Sequence, residues 1–588
     1  MHQRTFARVA PRRAKAAFYI VMLVGAYLTW RLVDVQLIKG PLYAKEALDQ
    51  RSDSVEVFAR RGTILDRDGN VLVRSLPSES VYADPYEIGD ADHTVADLQS
   101  VFGKIGPDVA AMLHDRNRRF VWVARKVSRE QSDKVVALNL PGVAVKEEDS
   151  GRRVDSVGTE ASTVLGFVGV DENGLAGLEY SFDDVLRGQS GRVIMETDDL
   201  GHRLPFGRER IIKRAKPGLS LQLTLDPYLQ FVTEDALATQ VRSFHAQSGT
   251  AIVLDPFTGE VLAMANQPLY DPNAYWKYAP ANLRNRAVMD AYEPGSTYKL
   301  VTAAAALESG AATMSTRFAS RDTLQIGGRT IHNAEDGFMG SSLESETLSD
   351  IIAYSHNVGA AEVGLHVGAR EFYRMEQRAG FGTPTQIGLP GENPGIVPAP
   401  AQWSDSSLAT MSFGQGVSVT PIAMARYYAA IANGGLLMRP RIVREILDSD
   451  GKLLYQYRPE IENRVFSRRV AGELQSFLRG VVQRGTGNPS AQIPGYTTAG
   501  KTGTAQVVSD GVYEPGAYVA SFIGMIPATH PRFVIYVKVE RPEGAIYGSV
   551  VAAPAFVKIA KAAMLHAGVM PAMPAGASKK THAERLVR

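Results

Sequence analysis

Gly495-Tyr496-Thr497-Thr498-Ala499-Gly500-Lys501-Thr502-Gly503-Thr504-Ala505-Gln506-Val507-Val508 admits two readings, and they give different folds. The first eight residues match the phosphate-loop pattern G-x-x-x-x-G-K-[ST] letter for letter. A phosphate loop needs an apolar strand before it and a helix opening at the lysine, so that backbone amides converge on phosphate. Here Gln492-Ile493-Pro494 precedes, Gly503 follows at once, and residues 505–508 are β-prone. The stretch therefore predicts a strand that carries Lys501, and an NTPase is the remote alternative. Standing alone, such a lysine reads as a solvated edge-strand residue.

Further strands lie on both sides of it. Residues 518–526 and 532–540 alternate or run apolar after it, and residues 221–226, 250–254 and 261–265 do so far upstream, the last two joined by the turn Asp255-Pro256-Phe257-Thr258-Gly259. Pro227 onward suits a helix, and residues 283–433 between the two strand groups are mainly helical in pattern. Strands at both ends with helices between them predict one α+β domain, 218–568, whose central antiparallel sheet is closed by both termini and flanked by helices.

That helical middle contains Glu293-Pro294-Gly295-Ser296-Thr297-Tyr298-Lys299, followed by strong helix formers up to Gly310. The pattern predicts a helix starting at or near Ser296 and capped by Gly310. Ser296 and Lys299, three residues apart, then share a face, and the helix N-terminus presents free N–H groups beside the serine oxygen. This suits a nucleophile whose proton is taken by a neutral amine. Alone, S-x-x-K reads as an N-cap and a solvated lysine. Ser355-His356-Asn357 alone reads as a polar turn. The ordered trio S-x-x-K, S-x-N, K-T-G within one domain is far less frequent by chance, and it is the serine acyl-transfer constellation.

The chain has 588 residues, enough for two to four domains. Its 64 Lys+Arg against 62 Asp+Glu leave +2, which gives no polyelectrolyte character for nucleic acid. It has no cysteine, which excludes disulfides, thiolate catalysis and cysteine-bound metals. The 11 histidines are scattered without an H-E-x-x-H pattern, so neither a metal nor a cofactor is expected. Residues 1–15 carry five basic residues and no acid, and an uncharged run from Ala16 to Trp30 follows, with Arg31 able to snorkel. We expect a basic cytoplasmic tail at 1–15 and a membrane anchor at 16–38, with everything beyond it exported; no small-x-small cleavage site follows the apolar run. Residues 39–217 show short β-prone runs, including a hairpin around Asp66-Arg67-Asp68-Gly69-Asn70. They read as an elongated, mostly β, non-catalytic module. Residues 569–588 read as a disordered tail.

At this point the sequence resembles a class B penicillin-binding protein, a monofunctional peptidoglycan transpeptidase, over nearly its whole length. The residues that carry the likeness are Arg61-Gly62-Thr63-Ile64-Leu65-Asp66-Arg67-Asp68-Gly69, the block from Gly174 to Gly188, Glu293 to Lys299, Ser412-Phe413-Gly414-Gln415-Gly416, and Ala499 to Gln506. The Glu-Pro-Gly-Ser-Thr lead-in and Asn357 are similar to the cell-division (septal) branch, with the elongation branch as the alternative. The segment Arg153-Val154-Asp155-Ser156-Val157-Gly158 departs from the family by lacking an aromatic-proline pair.

The resemblance implies a serine-type D-Ala-D-Ala transpeptidase of the inner membrane, with its catalytic domain in the periplasm at the division septum. By this likeness Ser296 attacks the penultimate D-Ala carbonyl of a stem pentapeptide, Lys299 is the base, Ser355 relays a proton to the leaving amine, and Asn357 orients Lys299 and the donor. Lys501, Thr502, Gly503 and Thr504 form the strand that receives the terminal carboxylate, and the N–H groups of Ser296 and Thr504 form the oxyanion hole. An acceptor strand's amine then resolves the ester, and β-lactams acylate the same serine. Implied partners are a membrane glycan-strand polymerase and other division proteins. His356 is expected to face solvent or to pack rather than to act in catalysis. A β-lactamase is disfavoured because no E-x-x-L-N lies between Asn357 and Lys501, and a β-lactam sensor would carry several membrane segments.

Overall fold

The computed structural model describes residues 6–196, 209–333, 344–509 and 511–572. Two compact units emerge, one made of Met1–Ala59 with Gly188–Pro217 and one of Arg60–Arg187 with Gly218–Arg588. In the first, the helix Phe6–Val33 continues through a π turn at Asp34–Ile38, and a second helix follows at Gly40–Arg51. Among the described residues, Pro11–Ile38 is the stretch long and apolar enough to cross a membrane, and apart from Asp34 and Val35 its residues are exposed. The helix thus begins inside the basic segment expected as a tail, whose residues 1–5 lie outside the described residues. The strand Gly191–Glu196 pairs antiparallel with Ser52–Val57 and with Glu209–Lys213.

The second unit is built on two sheets. One joins the strands in the order Leu453–Gln456, Val443–Leu447, Ser220–Leu223, Ile64–Leu65, Val71–Ala83 and Val121–Val127, with Val143–Asp155 also on Val71–Ala83. Ile64–Leu65 runs antiparallel to Val71–Ala83 and parallel to Ser220–Leu223. The expected hairpin is present: Asp66 Oδ1 accepts from the amides of Asp68 and Asn70, and Gly69 takes the φ of +87° that such a turn needs. The helices Ala91–Phe102, Pro107–Leu113 and Arg129–Leu138 share a small apolar core with this sheet, so the module mixes helix with strand. The resemblance block closes around Arg61. Its guanidinium, 1% exposed, reaches Glu179 Oε2 and Asp183 Oδ1, both at 2.6 Å, and the carbonyls of Glu172 and Glu179. Arg153, in the segment that departs from the family, binds Glu179 Oε1 at 2.6 Å.

The other sheet is the predicted antiparallel one, in the order Val261–Gln267, Ser248–Leu254, Phe533–Glu540, Val512–Ile526, Ala499–Ser509. The first two strands come from the start of the domain and the last three from its end, as the two strand groups require. Asp226 caps the helix Pro227–Ser243, which packs on one face of the sheet together with the C-terminal helix Ala553–His566. The helix Lys299–Ser309, with its run Ala303 to Ala306, and the buried helix Pro421–Ala432 belong to the larger core on the other face. Small side chains let these helices approach closely, and burial of this apolar surface supplies most of the stabilisation. Of the expected tail, residues 573–588 lie outside the described residues, while Val569 and Ala572 hydrogen-bond to Tyr496 and Gly495.

Candidate active site

The turn that carries Ser296 is a short 3-10 segment, Gly295–Tyr298, that passes directly into the α-helix Lys299–Ser309, so the α-helix expected from Ser296 begins three residues later. Gly310 ends it in the left-handed conformation predicted from the sequence. Its geometry is fixed from several sides. Thr297 Oγ1 bonds back to the Pro294 carbonyl at 2.7 Å, and the hydroxyls of Tyr428 and Tyr427 bond to the carbonyls of Thr297 (2.9 Å) and Leu300 (3.0 Å). Tyr298 OH bonds to Glu376 Oε1 at 2.8 Å, and burial pushes the Glu376 carboxyl up to about 8. Gly414, from the Ser412–Gly416 block, accepts from the Gly295 amide at 3.1 Å.

Lys501 lies in the strand Ala499–Ser509, opposite Ile523, and opens no helix. A phosphate cradle is therefore not formed, and the NTPase reading falls on its own test. The strand packs against the Ser296 turn: a Cβ added to Gly503 would stand 3.0 Å from Thr297 Cγ2 and 2.3 Å from Ser521 Oγ. Glycine here leaves room for the Thr297 methyl and the Ser521 hydroxyl.

Three elements converge here. Lys299, fully buried, donates from Nζ to the Ser355 carbonyl (2.5 Å), to Asn357 Oδ1 (2.8 Å) and at 3.3 Å to Ser355 Oγ. Lys501, also fully buried, donates to Ser355 Oγ at 2.8 Å and to the Thr502 carbonyl at 3.2 Å. Ser355 is the C-cap of the helix Leu348–Tyr354 and holds φ +64°, which a non-glycine residue rarely adopts, so the turn is strained to bring its hydroxyl between both amines. Asn357 opens the helix Asn357–Val367; its Nδ2 donates to the His332 carbonyl at 3.0 Å and so ties the Arg329–His332 strand to the site.

A cavity of about 260 Å³ is lined by Ser296, Asn357, Thr504 and Ala505 on one side and by Arg329, His332, Thr410 and Gln415 on others. Ser296 is half-buried on its wall. Among the described residues no hydrogen bond joins Ser296 Oγ to Lys299; contacts of this kind tighten when substrate binds. Of the predicted residues, Ser296, Lys299, Ser355, Asn357, Lys501 and Thr504 all fall at this one place. Thr502 Oγ1 shares a 2.7 Å hydrogen bond with Thr486 Oγ1 and accepts from Lys501 Nζ at 3.4 Å, and Gly503 serves as the close-approach point.

The electrostatics follow from burial. Desolvation and then the nearby positive Lys501 hold Lys299 well below the usual lysine range, with Glu346 acting in the opposite sense. Desolvation brings Lys501 down to about 7. Two buried amines around one hydroxyl disfavour double protonation, so at neutral pH one neutral amine stands ready to accept a proton. Among the described residues no group of three or more His, Cys, Asp or Glu side chains is placed to hold a metal ion.

Several parts of the site carry no local sequence signal. The Arg329–His332 strand carries no motif, and Glu346 lies ten residues before His356 with nothing to connect them. His356 is not solvent-facing: it is buried, with Nδ1 bonded to Glu346 Oε2. Glu293, in the lead-in, accepts from the Gly416 amide at 2.8 Å and from Tyr513 OH at 3.1 Å.

Comparison with known proteins gives the family. Residues 249–561 match the penicillin binding protein transpeptidase domain, and residues 56–223 match the penicillin-binding protein dimerisation domain. Stage V sporulation protein D of Bacillus subtilis (strain 168) is 33% identical over 574 residues, covering 96% of this chain and 88% of that protein. Peptidoglycan D,D-transpeptidase FtsI of Escherichia coli (strain K12) is 34% identical over 545 residues, 91% of this chain and 88% of its own length. The crystal structure of penicillin binding protein 3 from Mycobacterium tuberculosis, complexed with aztreonam, superposes with a TM-score of 0.68 at 30% identity, covering 88% of this chain and 98% of that one. With both domains matched and these relatives aligned almost end to end, the chain belongs to the class B penicillin-binding proteins and is a serine-type peptidoglycan D,D-transpeptidase.

Proposed function

We propose that this transpeptidase works at the division septum and that Ser296 is its nucleophile. The observation that supports the assignment is that Ser296 and Asn357 line one cavity while Asn357 Oδ1 accepts from Lys299, with both lysines buried and Ser355 between them. Lys299, held neutral, takes the Ser296 proton as Oγ attacks the penultimate D-Ala carbonyl carbon. The developing oxyanion is stabilised by the N–H groups of Ser296 and Thr504. As the C–N bond breaks, Ser355 passes a proton to the leaving D-Ala amine and is reprotonated from the lysine side. An acceptor stem's amine then attacks the ester, Lys299 again removes its proton, and Ser296 is released with the cross-link made. Lys501 and the Thr504 hydroxyl receive the donor's terminal carboxylate, with Gly503 bringing their strand against the nucleophile turn and Thr502 supporting it from behind; Asn357 orients Lys299 and the donor.

The apolar helix is proposed as a single inner-membrane anchor with a cytoplasmic N-terminus. The basic residues before it and their absence of acid partners in sequence support that orientation. The domain assignment follows the same lines: a tail at 1–15, anchor at 16–38, non-catalytic module at 39–217, transpeptidase domain at 218–568 and a terminal segment at 569–588. The anchor and the module suit docking to a membrane glycan-strand polymerase and other division proteins. Support for the septal role is the Glu293–Thr297 lead-in with Asn357, and two experiments test the proposal. S296A protein should remain folded and lose all covalent labelling by fluorescent penicillin; stoichiometric labelling of that variant overturns the nucleophile. A tagged chain should gather at the septum, and a uniform lateral distribution overturns the septal role.

A further inference from the structure

Glu346 is a buried acid whose surroundings the transpeptidase reaction does not by itself explain. It lies in the strand Ser345–Thr347, paired with Phe318, with its side chain 1% exposed. The next residue, Thr347, caps the helix Leu348–Tyr354, and Ser355 ends that same helix. His356 follows and is bonded through Nδ1 to Glu346 Oε2. The Glu346–His356 bond therefore spans the helix from the residue before its cap to the residue after its end. His356 also donates its backbone N–H to the Ile351 carbonyl at 3.1 Å and stacks on Tyr354 with centroids 5.9 Å apart.

The other side of the carboxylate is equally close. A Cβ on Gly359, in the first turn of the helix Asn357–Val367, would stand 2.4 Å from Glu346 Oε1 and 2.8 Å from Ile351 Cγ1. The carboxylate is thus seated in a gap that only glycine leaves open, between the helix that ends in Ser355 and the helix that begins with Asn357. A buried carboxylate persists only with a partner, and His356 is the one it has chosen. The charged groups around it are Lys299 and Lys501 at the site, Glu362 on the Asn357–Val367 helix with Arg321 at 3.6 Å, and Asp350 with Arg484 on the far side of the Leu348–Tyr354 helix. Among these, Glu346 is the negative group acting directly on Lys299.

We infer that Glu346 and His356 are positioning residues of the acyl-transfer site: the bond between them ties the two ends of the Leu348–Tyr354 helix together and holds the strained Ser355 turn, with its hydroxyl between Lys299 and Lys501, in place. Both side chains are buried, and neither lines the cavity. The strain at Ser355 has to be maintained by something fixed, and the pair supplies a buried tie across the helix that carries it. Lys299 and Lys501 repel one another's protons, and a carboxylate behind the turn offsets part of that repulsion for Lys299 alone. The inference rests on Lys299 being the base for Ser296.

The test is the second-order rate of acylation by benzylpenicillin from pH 5 to 9, measured on the full chain beside its thermal unfolding. E346Q keeps the shape and an acceptor for His356 but removes the charge. Lys299 then loses its proton more readily, and the acid limb of the rate profile moves to lower pH by roughly half a unit or more. H356A should slow acylation about 10-fold or more, and H356N, whose amide can replace the Nδ1 donor, should restore most of the loss. A pair that merely stabilises the fold would lower the melting temperature without moving the acid limb, and that result overturns the inference. So does an H356A protein with the parental rate, a readout that stands even where E346Q does not fold. A parent chain that is not acylated at all would instead overturn the assignment of the nucleophile and base.

Discussion

Lys501 Nζ donates to Ser355 Oγ at 2.8 Å, and Lys299 Nζ reaches the same oxygen at 3.3 Å, so a single hydroxyl lies between two fully buried amines. It is the one group placed to pass a proton between them. Replacing Ser355 by alanine removes that relay and leaves both amines without their shared acceptor. S355A should reduce the acylation rate by roughly 10²–10⁴-fold, the usual range for losing one acid–base group, with little change in melting temperature. Stopped-flow acylation of S355A beside the parent checks it.

Burial of Lys501 has a stability signature with a definite sign. Its folded value of about 7 lies below the ordinary 10.5, so between these pH values the unfolded chain binds a proton that the folded chain does not. Stability then rises with pH across that window, and the full cost of burying the amine is present at and below about 7. K501M replaces the amine with an apolar chain of similar length. It should melt higher than the parent at pH 6, and the difference should narrow as the pH approaches 10. Thermal unfolding across that range reads it, and acylation should be lost at every pH.

Gly414 is required by the turn that carries Ser296. Its φ is +84°, and an added Cβ would stand 2.3 Å from the Gly295 carbonyl oxygen and 2.8 Å from Tyr298 Cβ. G414A must push the Gly295–Tyr298 segment aside. Displacements near 1 Å at a reacting group cost on the order of 100-fold in rate, which is the loss expected in penicillin acylation of the folded variant.

Arg61 is the tie of the N-terminal module to its own second block, with four hydrogen bonds from a buried guanidinium. R61A leaves Glu179 without a main partner in the interior, a loss of about 3–5 kcal/mol. R61K should recover little, since an ammonium cannot reproduce the forked geometry. Chemical denaturation reads both variants, and the fraction that stays folded should still be acylated, because this network lies apart from the cavity residues.

Much of this was legible in the chain. The period-2 runs at both ends of the domain determined an antiparallel sheet with helices inserted between its strands, because alternation and turn residues act locally. The helix formers up to Gly310 determined the helix behind Ser296 and its glycine cap, though its expected first turn is a 3-10 segment, and Gly503 after Lys501 excluded a helix there. The order S-x-x-K, S-x-N, K-T-G placed Ser296, Lys299, Ser355, Asn357 and Lys501 in one site. Local signals end there. That Lys299 and Lys501 are both fully buried, that Ser355 is held at a positive φ between them, and that His356 turns inward to Glu346 depend on which helices pack together. Such desolvation and cross-element bonding arise from contacts between residues tens to hundreds of positions apart, and no sequence period encodes them. The chain alone thus determined which residues meet, and the tertiary packing decided their charge and orientation.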